Sequence, residues 1–396
     1  MAKRIFFCAG EVSGDRHGAA LAKAIRGIDS EVEFFGIGGT QMKAAGVELL
    51  HDSTGWGTIG FFEGATRFPR LYPIFRKIPK IFDRERPDMF VPIDFRVFNM
   101  GLCRAAKTRG IPVTYFFAPV SWYGTGKKRF AELAESVDLA LICLPFSLGD
   151  YELAGANFEY VGHPAVDLAQ PEMEMEEAFK TFGLERGRVT IGLMPGSRIQ
   201  EIKRLLPVFR DAAELLRNSV PGSQFILLSA DARFTPLIRK ILRDTTVTVT
   251  ESHPYDFMNV CDLLIVCSGT ATHEATLMEK PMVVTYRLSR PTAALARLMM
   301  KYTYVAMPNL LAGEMVVPEL IQERCTAGNI ALEAHRLLTD SEARVALRRK
   351  YQEVKMMLGA PGVLDRSAER IVNALNGKWD TEEIPFRRKK IPAMAQ

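Results

Sequence analysis

The chain has no Cys-x-x-Cys pair, no cluster of histidines, and only six cysteines in 396 residues, at positions 8, 103, 143, 261, 267 and 325. That scatter offers neither zinc-ligand spacing nor a disulfide framework, so the thiols are expected to be reduced and mostly buried, and no metal site is predicted. Also missing is any apolar run approaching the roughly 18 to 20 residues that cross a bilayer as a helix. The opening, MAKRIFFCAGEVSGD, reaches Glu11 and Asp15 after too short an apolar stretch for a secretory signal, so export is not expected. Contact with a membrane would have to come from one side. Internal repeats and low-complexity tracts are absent too, which argues against solenoids and arrays.

What is present fits a folded chain too long for one ordinary core, with 47% hydrophobic and 24% charged residues. KRIFFCAG reads as a buried strand, GEVSGD as a turn, and HGAALAKAIRG as a helix stopped by glycine. Further short apolar runs, EVEFFGIGG, DMFVPID, VTYFFAP, LALICLPF and FEYVGHP, alternate with helical or polar stretches, the rhythm of a parallel doubly wound sheet. After a polar linker, QPEMEMEEAFKTFGLERGR, the rhythm restarts with RVTIGLMPGS, SQFILLSA, VTVTE, DLLIVCSG and PMVVTYR. The expected fold class is therefore α/β, with two Rossmann-like doubly wound domains at 1–168 and 169–358 facing a cleft. The C-terminal helix around SAERIVNALN and the tail, 359–396, are expected to pack back on the first domain or on a partner subunit. Ligands of such sheets bind at the carboxyl ends of the strands.

Two turns of the second domain carry candidate chemistry. In LMPGSRIQEIKRLLPVF, Gly196 lets the backbone approach a ligand, the following helix presents free N–H groups, and Arg198 adds a fixed charge, a combination suited to a diphosphate. Alone, this reads equally well as an ordinary βα turn with a surface arginine. In CSGTATHEATLMEKP, Ser268, Gly269 and Thr270 open a helix and Glu274 follows one turn in, where a carboxylate could accept from ribose hydroxyls. Alone, this turn reads better as a Ser/Thr cap with an acidic first turn; a second phosphate-like turn in the same domain weakens that reading. In the first domain Glu11, Ser13, Asp15 and His17 surround one turn, and Asp94 ends a strand. Asp94 could deprotonate a hydroxyl as general base, or be a loop residue satisfied by backbone amides.

At these residues the sequence resembles the lipid-A-disaccharide synthase family over nearly the whole chain. The matching stretches are AGEVSGD (9–15), GIGGTQMKAAGVE (36–48), LPF (144–146), YVGHPAVD (160–167), MPGSR (194–198), SGTATHEA (268–275), PMVVTYR (281–287) and PNLLAGEMVVPELIQE (308–323). The resemblance implies an inverting glycosyltransferase of the two-Rossmann-domain type. It would condense UDP-2,3-diacylglucosamine with 2,3-diacylglucosamine 1-phosphate, needing no cofactor and no bound metal. By the same resemblance Asp94 is the base, Ser13 and Asp15 border the acceptor, and Arg198, Ser268, Gly269, Thr270, Glu274, Arg287 and Asn309 belong to the UDP-sugar site. Two stretches depart from the family's pattern: Val97 stands where an aspartate is usual, and VSWYGTG keeps Trp122 but has Gly124 in place of a second tryptophan. Both lie on the expected acceptor side.

Residues 59–86 hold seven basic side chains against Glu63, Asp83 and Glu85. Within 59–82 they interleave with Phe61, Phe62, Phe68, Leu71, Tyr72, Ile74, Phe75, Ile78, Ile81 and Phe82, as befits a segment lying on an anionic membrane surface. About half of these apolar residues are expected to fill the first domain's core instead. Pro69, Pro73 and Pro79 predict short broken turns rather than one helix. The terminal FRRKKIPAM reads as a solvated tail. The expected location is cytoplasmic, peripheral on the inner face of the cytoplasmic membrane; the resemblance allows a homodimer. No nucleic-acid fold signature accompanies the charge, so nucleic acid is not a predicted partner. Two other readings stay open: a UDP-sugar 2-epimerase of the same architecture, and a diverged paralogue that binds a nucleotide sugar or lipid without turnover.

Overall fold

A computed structural model describes residues 2–53, 56, 61–120, 127–289, 291–294 and 304–379, the side chains of 61–70 and 127–129 excepted. The chain divides into two units, Met1–Asp167 with Leu358–Gln396, and Leu168–Met357.

The first unit holds β1 (Arg4–Ala9), β2 (Glu33–Gly38), β3 (Glu48–Asp52), β4 (Met89–Ile93), β5 (Thr114–Phe116), β6 (Leu139–Ile142) and β7 (Phe158–Tyr160). They pair in parallel in the order β3-β2-β1-β4-β5-β6-β7. A parallel sheet is covered on both faces, which is why its strands are near-continuous apolar runs. Alternate residues of β1 separate the two cores: Ile5, Phe7 and Ala9 join one, Phe6 and Cys8 the other.

Four helices of this unit bear on the site: α1 (Val12–Ile28), α2 (Thr40–Ala44), α3 (Phe61–Glu85) and α4 (Arg96–Lys107). Two differ from expectation. Helix α1 begins at Val12, so Ser13 and Asp15 lie in its first turn and not in a loop. Helix α3 is one continuous element through Pro69, Pro73 and Pro79 rather than broken turns. Each proline removes one intrahelical bond, but Ile78 and Phe82 are buried, and Leu71, Ile74, Phe75 and Ile81 pack half-buried on the same core. Tertiary packing therefore holds what local propensity disfavours. Of the apolar side chains of α3 that are described, only Tyr72 and Pro73 are exposed, beside exposed Arg76, Lys77 and Lys80.

The second unit holds β8 (Thr190–Met194), β9 (Gln224–Leu228), β10 (Thr248–Thr250), β11 (Leu263–Cys267), β12 (Met282–Tyr286) and β13 (Glu319–Ile321), parallel in the order β10-β9-β8-β11-β12-β13. Its helices include α5 (Met175–Phe182), α6 (Ile199–Ser219), α7 (Pro254–Val260), α8 (Thr270–Leu277) and α9 (Met307–Ala312). Much of the stretch read as a polar linker is α5, which buries Ala178 and Phe182 and ends on Gly183 at φ 64°. The Asp256 carboxylate accepts from the Glu172 and Met173 amides at 2.9 and 2.7 Å, binding the start of that stretch into the unit.

The chain then returns to the first unit as α10 (Val363–Leu375), whose Val363, Ala368, Ile371, Val372 and Leu375 complete the core over β1 and β4. The Asp167 carboxylate accepts from the Gly362 and Leu364 amides at 2.7 and 2.8 Å and so caps the helix start.

Candidate active site

In each sheet the strand order reverses once, and the loops leaving the two strands at that point part in opposite directions to open a ligand crevice. In the second unit the reversal falls between β8 and β11, which are direct partners, with Met194 opposite Val266. The two turns picked from the sequence, 195–198 and 268–270, leave these neighbouring strands and are brought together.

After β8, Gly196 adopts φ +112°, a conformation open to glycine, and the Glu201 carboxylate folds back across it; an added Cβ would lie 2.3 Å from Glu201 Oε2. Buried Glu201 accepts from the Ser197 amide at 3.1 Å and from Arg198 Nη1 at 3.0 Å. The arginine is thus held at the start of α6 by an acid three residues on, and the first-turn amides of α6 lie beside it. Such a helix start favours an anion.

After β11, Ser268 donates from Oγ to the Val305 carbonyl at 2.9 Å, and exposed Gly269 (φ +155°) turns the chain into α8 at Thr270. Glu274 is buried within α8 and accepts from the Tyr255 hydroxyl of α7 at 3.1 Å. Arg287, the residue after β12, donates to the Cys325 carbonyl.

Asn309 is fully buried, and both ends of its amide are engaged. Nδ2 donates to the Val317 carbonyl at 2.9 Å and to Glu319 Oε1 at 2.8 Å, while Oδ1 accepts from the Val316 and Val317 amides, each at 2.8 Å. Glu319 accepts from the Val305 and Ala306 amides as well. Its burial raises its carboxyl above the usual range, opposed by those hydrogen bonds. Ser268, Val305, Glu319 and Asn309 therefore form one continuous network that ties the 268–270 turn to the 305–319 block.

In the first unit the reversal falls between β1 and β4, with Ala9 opposite Ile93. Helix α1, which carries Ser13 and Asp15, follows β1, and Asp94 follows the neighbouring β4; an added Cβ on Gly14 would sit 3.8 Å from the Ile93 carbonyl oxygen. Half-buried Asp94 and Phe95 both have φ +48°, and the Phe95 ring lies against Gly10, where an added Cβ would come within 2.2 Å of it. Asp15 is buried and its carboxylate accepts from the amides of Gly39 (2.7 Å), Gln41 (3.0 Å) and Met42 (3.0 Å), so it anchors the start of α2. Val97, on the first turn of α4, is 92% exposed. Trp122 and Gly124 lie outside the described residues.

Reading the sequence missed Glu201, Tyr255 and Glu319, the groups that hold the singled-out residues in place. Only Glu201 left a local signal, as an acid three residues after Arg198 at a helix start. It also missed a buried cluster in the first unit: His17 stacks on Phe117 at 5.3 Å and meets His163 edge-on at 5.9 Å. Burial lowers both imidazoles, His163 to about 3 and His17 well below its usual range, the latter aided by His163 and Arg16. Both are neutral at physiological pH. Among the described residues, Glu172, His253 and Asp256 alone have a spacing that could suit a metal ion, and Asp256 is already bound to two amides. No helix among them is long and apolar enough to cross a membrane.

Two parallel doubly wound units give the chain the α/β, two-Rossmann-domain architecture of the GT-B type. A family model described as lipid-A-disaccharide synthetase matches residues 5–369. The lipid-A-disaccharide synthase of Geobacter metallireducens is 38% identical over 381 residues, covering 95% of this chain and 98% of the relative. That of Myxococcus xanthus is 36% identical, covering 94% and 97%. The chain belongs to the lipid-A-disaccharide synthase family. Among solved structures, the S. aureus MnaA–UDP complex has a TM-score of 0.62 at 14% identity, covering 95% of this chain and 97% of that one. A UDP-GlcNAc 2-epimerase from Neisseria meningitidis bound to UDP-GlcNAc has 0.61 at 12%, covering 94% and 99%. Identities this low show a shared fold and nothing more.

Proposed function

We propose that the protein transfers 2,3-diacylglucosamine from its UDP form to the 6-hydroxyl of 2,3-diacylglucosamine 1-phosphate, with inversion, releasing UDP and a β-1,6-linked disaccharide 1-phosphate. Family membership across 5–369 supports the reaction. The observation that carries the assignment of roles is that Asp94, Arg198 and the 268–270 turn follow strands that flank the two strand-order reversals, and that Asn309 lies on the hydrogen-bond network attached to the second of them.

In this reading Asp94 takes the proton of the acceptor hydroxyl as the oxygen attacks the anomeric carbon. Negative charge develops on the departing UDP, where Arg198 and the amides opening α6 and α8 oppose it with fixed positive ends, so that no bound metal is required. Glu274 and Arg287 complete the UDP-sugar site with Ser268, Gly269 and Thr270, and Asn309 acts by holding the 305–319 block in place. Ser13 borders the acceptor directly. Asp15 does so through the Gly39 turn it anchors, because its carboxylate is engaged by three amides. The exposed basic face of α3, with the rest of 59–82, meets the anionic inner face of the cytoplasmic membrane and delivers the lipid substrates. The 2-epimerases share only the fold, so they do not favour a rival reaction.

The test is UDP release and disaccharide formation by purified protein from both lipid substrates in detergent with EDTA, comparing wild type with Asp94→Ala. Product lost in the variant, by at least about a hundredfold for a removed base, supports the assignment. UDP-sugar binding without product would assign the chain instead to a binding paralogue. Sedimentation of the same sample tests the homodimer; a monomer at assay concentration excludes it.

A further inference from the structure

Two consecutive non-glycine residues in the left-handed region, Asp94 and Phe95 at φ +48° each, need an explanation, since L-residues hold that conformation only where their surroundings enforce it. The enforcing contacts converge on Asp94. Its amide donates to the Phe116 carbonyl at 3.2 Å. Its own carbonyl accepts twice, from Asn99 Nδ2 at 2.8 Å and from the Tyr115 hydroxyl at 2.6 Å. Both donors are completely buried, Asn99 on α4 and Tyr115 in the middle of β5. Asn99 reaches further, to the Cys8 carbonyl of β1 at 3.2 Å, so one side chain bridges the two strands that flank the reversal. On the other side the Phe95 carbonyl accepts from the Phe98 and Asn99 amides at 3.2 and 3.1 Å, and the Phe95 ring is packed against Gly10, Trp56 and Phe98.

A buried hydroxyl and a buried amide are costly to place in an apolar core unless each is bonded. Here both are directed at a single carbonyl whose residue carries the candidate base. We propose that Asn99 and Tyr115 are positioning residues: together they turn the Asp94 carbonyl into the core, fix the left-handed turn, and so present the Asp94 carboxylate at the strand-order reversal where the acceptor hydroxyl loses its proton. The proposal rests on the reading of Asp94 as that base.

Tyr151 supplies a matched control. It is equally buried in the same core, and its hydroxyl also donates to a backbone carbonyl, that of Pro119 at 2.6 Å, without touching Asp94. Tyr115→Phe and Tyr151→Phe are compared with wild type for Tm, kcat and KM. Both should lower Tm by a similar few degrees. Only Tyr115→Phe should lower kcat, by roughly tenfold with KM for either substrate nearly unchanged, and adding Asn99→Ala should bring the loss towards that of Asp94→Ala. Equal kcat in the two tyrosine variants overturns the proposal.

A second readout needs no turnover. In the wild-type background Asp94→Gly should be more stable than Asp94→Ala by roughly 5- to 30-fold in the folding constant, because only glycine accepts the left-handed turn without strain. In the Asn99→Ala/Tyr115→Phe background that gap should close as the turn relaxes. A gap that persists refutes the clamp. A wild type that makes no disaccharide sinks the proposed reaction alone, and the folding comparison still decides whether these two side chains hold Asp94.

Discussion

Acidification should unfold the first unit through His163, and the size of the effect follows from its surroundings. The imidazole is completely buried, its Nδ1 accepts from the Ala165 amide at 3.1 Å, and its ring makes T-shaped contacts with those of His17 and Phe117. Burial lowers its pKa to about 3, against about 6.5 in an unfolded chain. A lowered histidine pKa means that the unfolded chain binds the proton first. Stability is therefore complete above pH about 6.5 and drains away as the pH falls towards about 3. At pH 5 the cost is about 2 kcal/mol, set almost wholly by the unfolded value because the native imidazole is still neutral there. His17, lowered by the same burial and by its neighbour, adds to the loss with the same sign. The assay is urea unfolding at pH 7.5 and 5.0 for wild type and His163→Asn, which removes the titrating ring and retains a short hydrogen-bonding side chain. Wild type should lose about 2 kcal/mol more than the variant between the two pH values. If both lose the same amount, the protonation of His163 is not what acid exploits, and the argument from its burial is wrong.

Asn309→Ala removes an amide that bonds two backbone amides, a carbonyl and Glu319 in a site without solvent. The loss should be about 3–5 kcal/mol and be accompanied by weaker UDP binding, because the 305–319 block is joined to the 268–270 turn; an unchanged Tm and UDP affinity would refute both claims. Replacing Arg76, Lys77 and Lys80 together with glutamine should lower partition onto anionic vesicles by about a hundredfold, at about 1 kcal/mol per charge. Because all three side chains are exposed, circular dichroism should not change. Equal vesicle binding by wild type and the triple variant would show that this face of α3 does not meet the membrane.

Central strands and glycine turns were legible in the sequence because parallel strands buried on both faces leave unbroken apolar runs, and few residues besides glycine suit positions such as 196 and 269. The sequence also located the residues at the carboxyl ends of those strands, since a motif after a strand must lie there. Two edge strands were not legible: β3 carries His51 and Asp52 in a half-buried run, and β13 is only Glu319–Ile321. Neither is long or apolar enough to stand out. The continuity of α3 was hidden as well, because three prolines argue against a helix that its packing on α4 and the core sustains.

Local pattern thus determined which segments became strands and where chemistry-bearing side chains could lie, because burial on two faces and glycine-only backbone angles constrain residues independently of distant neighbours. What each polar group does was decided only in three dimensions. Asp15, read in the sequence as one of several polar residues around a turn, anchors the chain at Gly39 after the neighbouring strand. Asn309, which the resemblance assigns to the UDP-sugar site, has its amide bonded within its own 309–319 loop. Asp94 is held by Asn99, five residues on, and by Tyr115 on the next strand. Hydrogen-bond partners are set by which loops the sheet order places side by side, and one residue's neighbours in sequence do not carry that information.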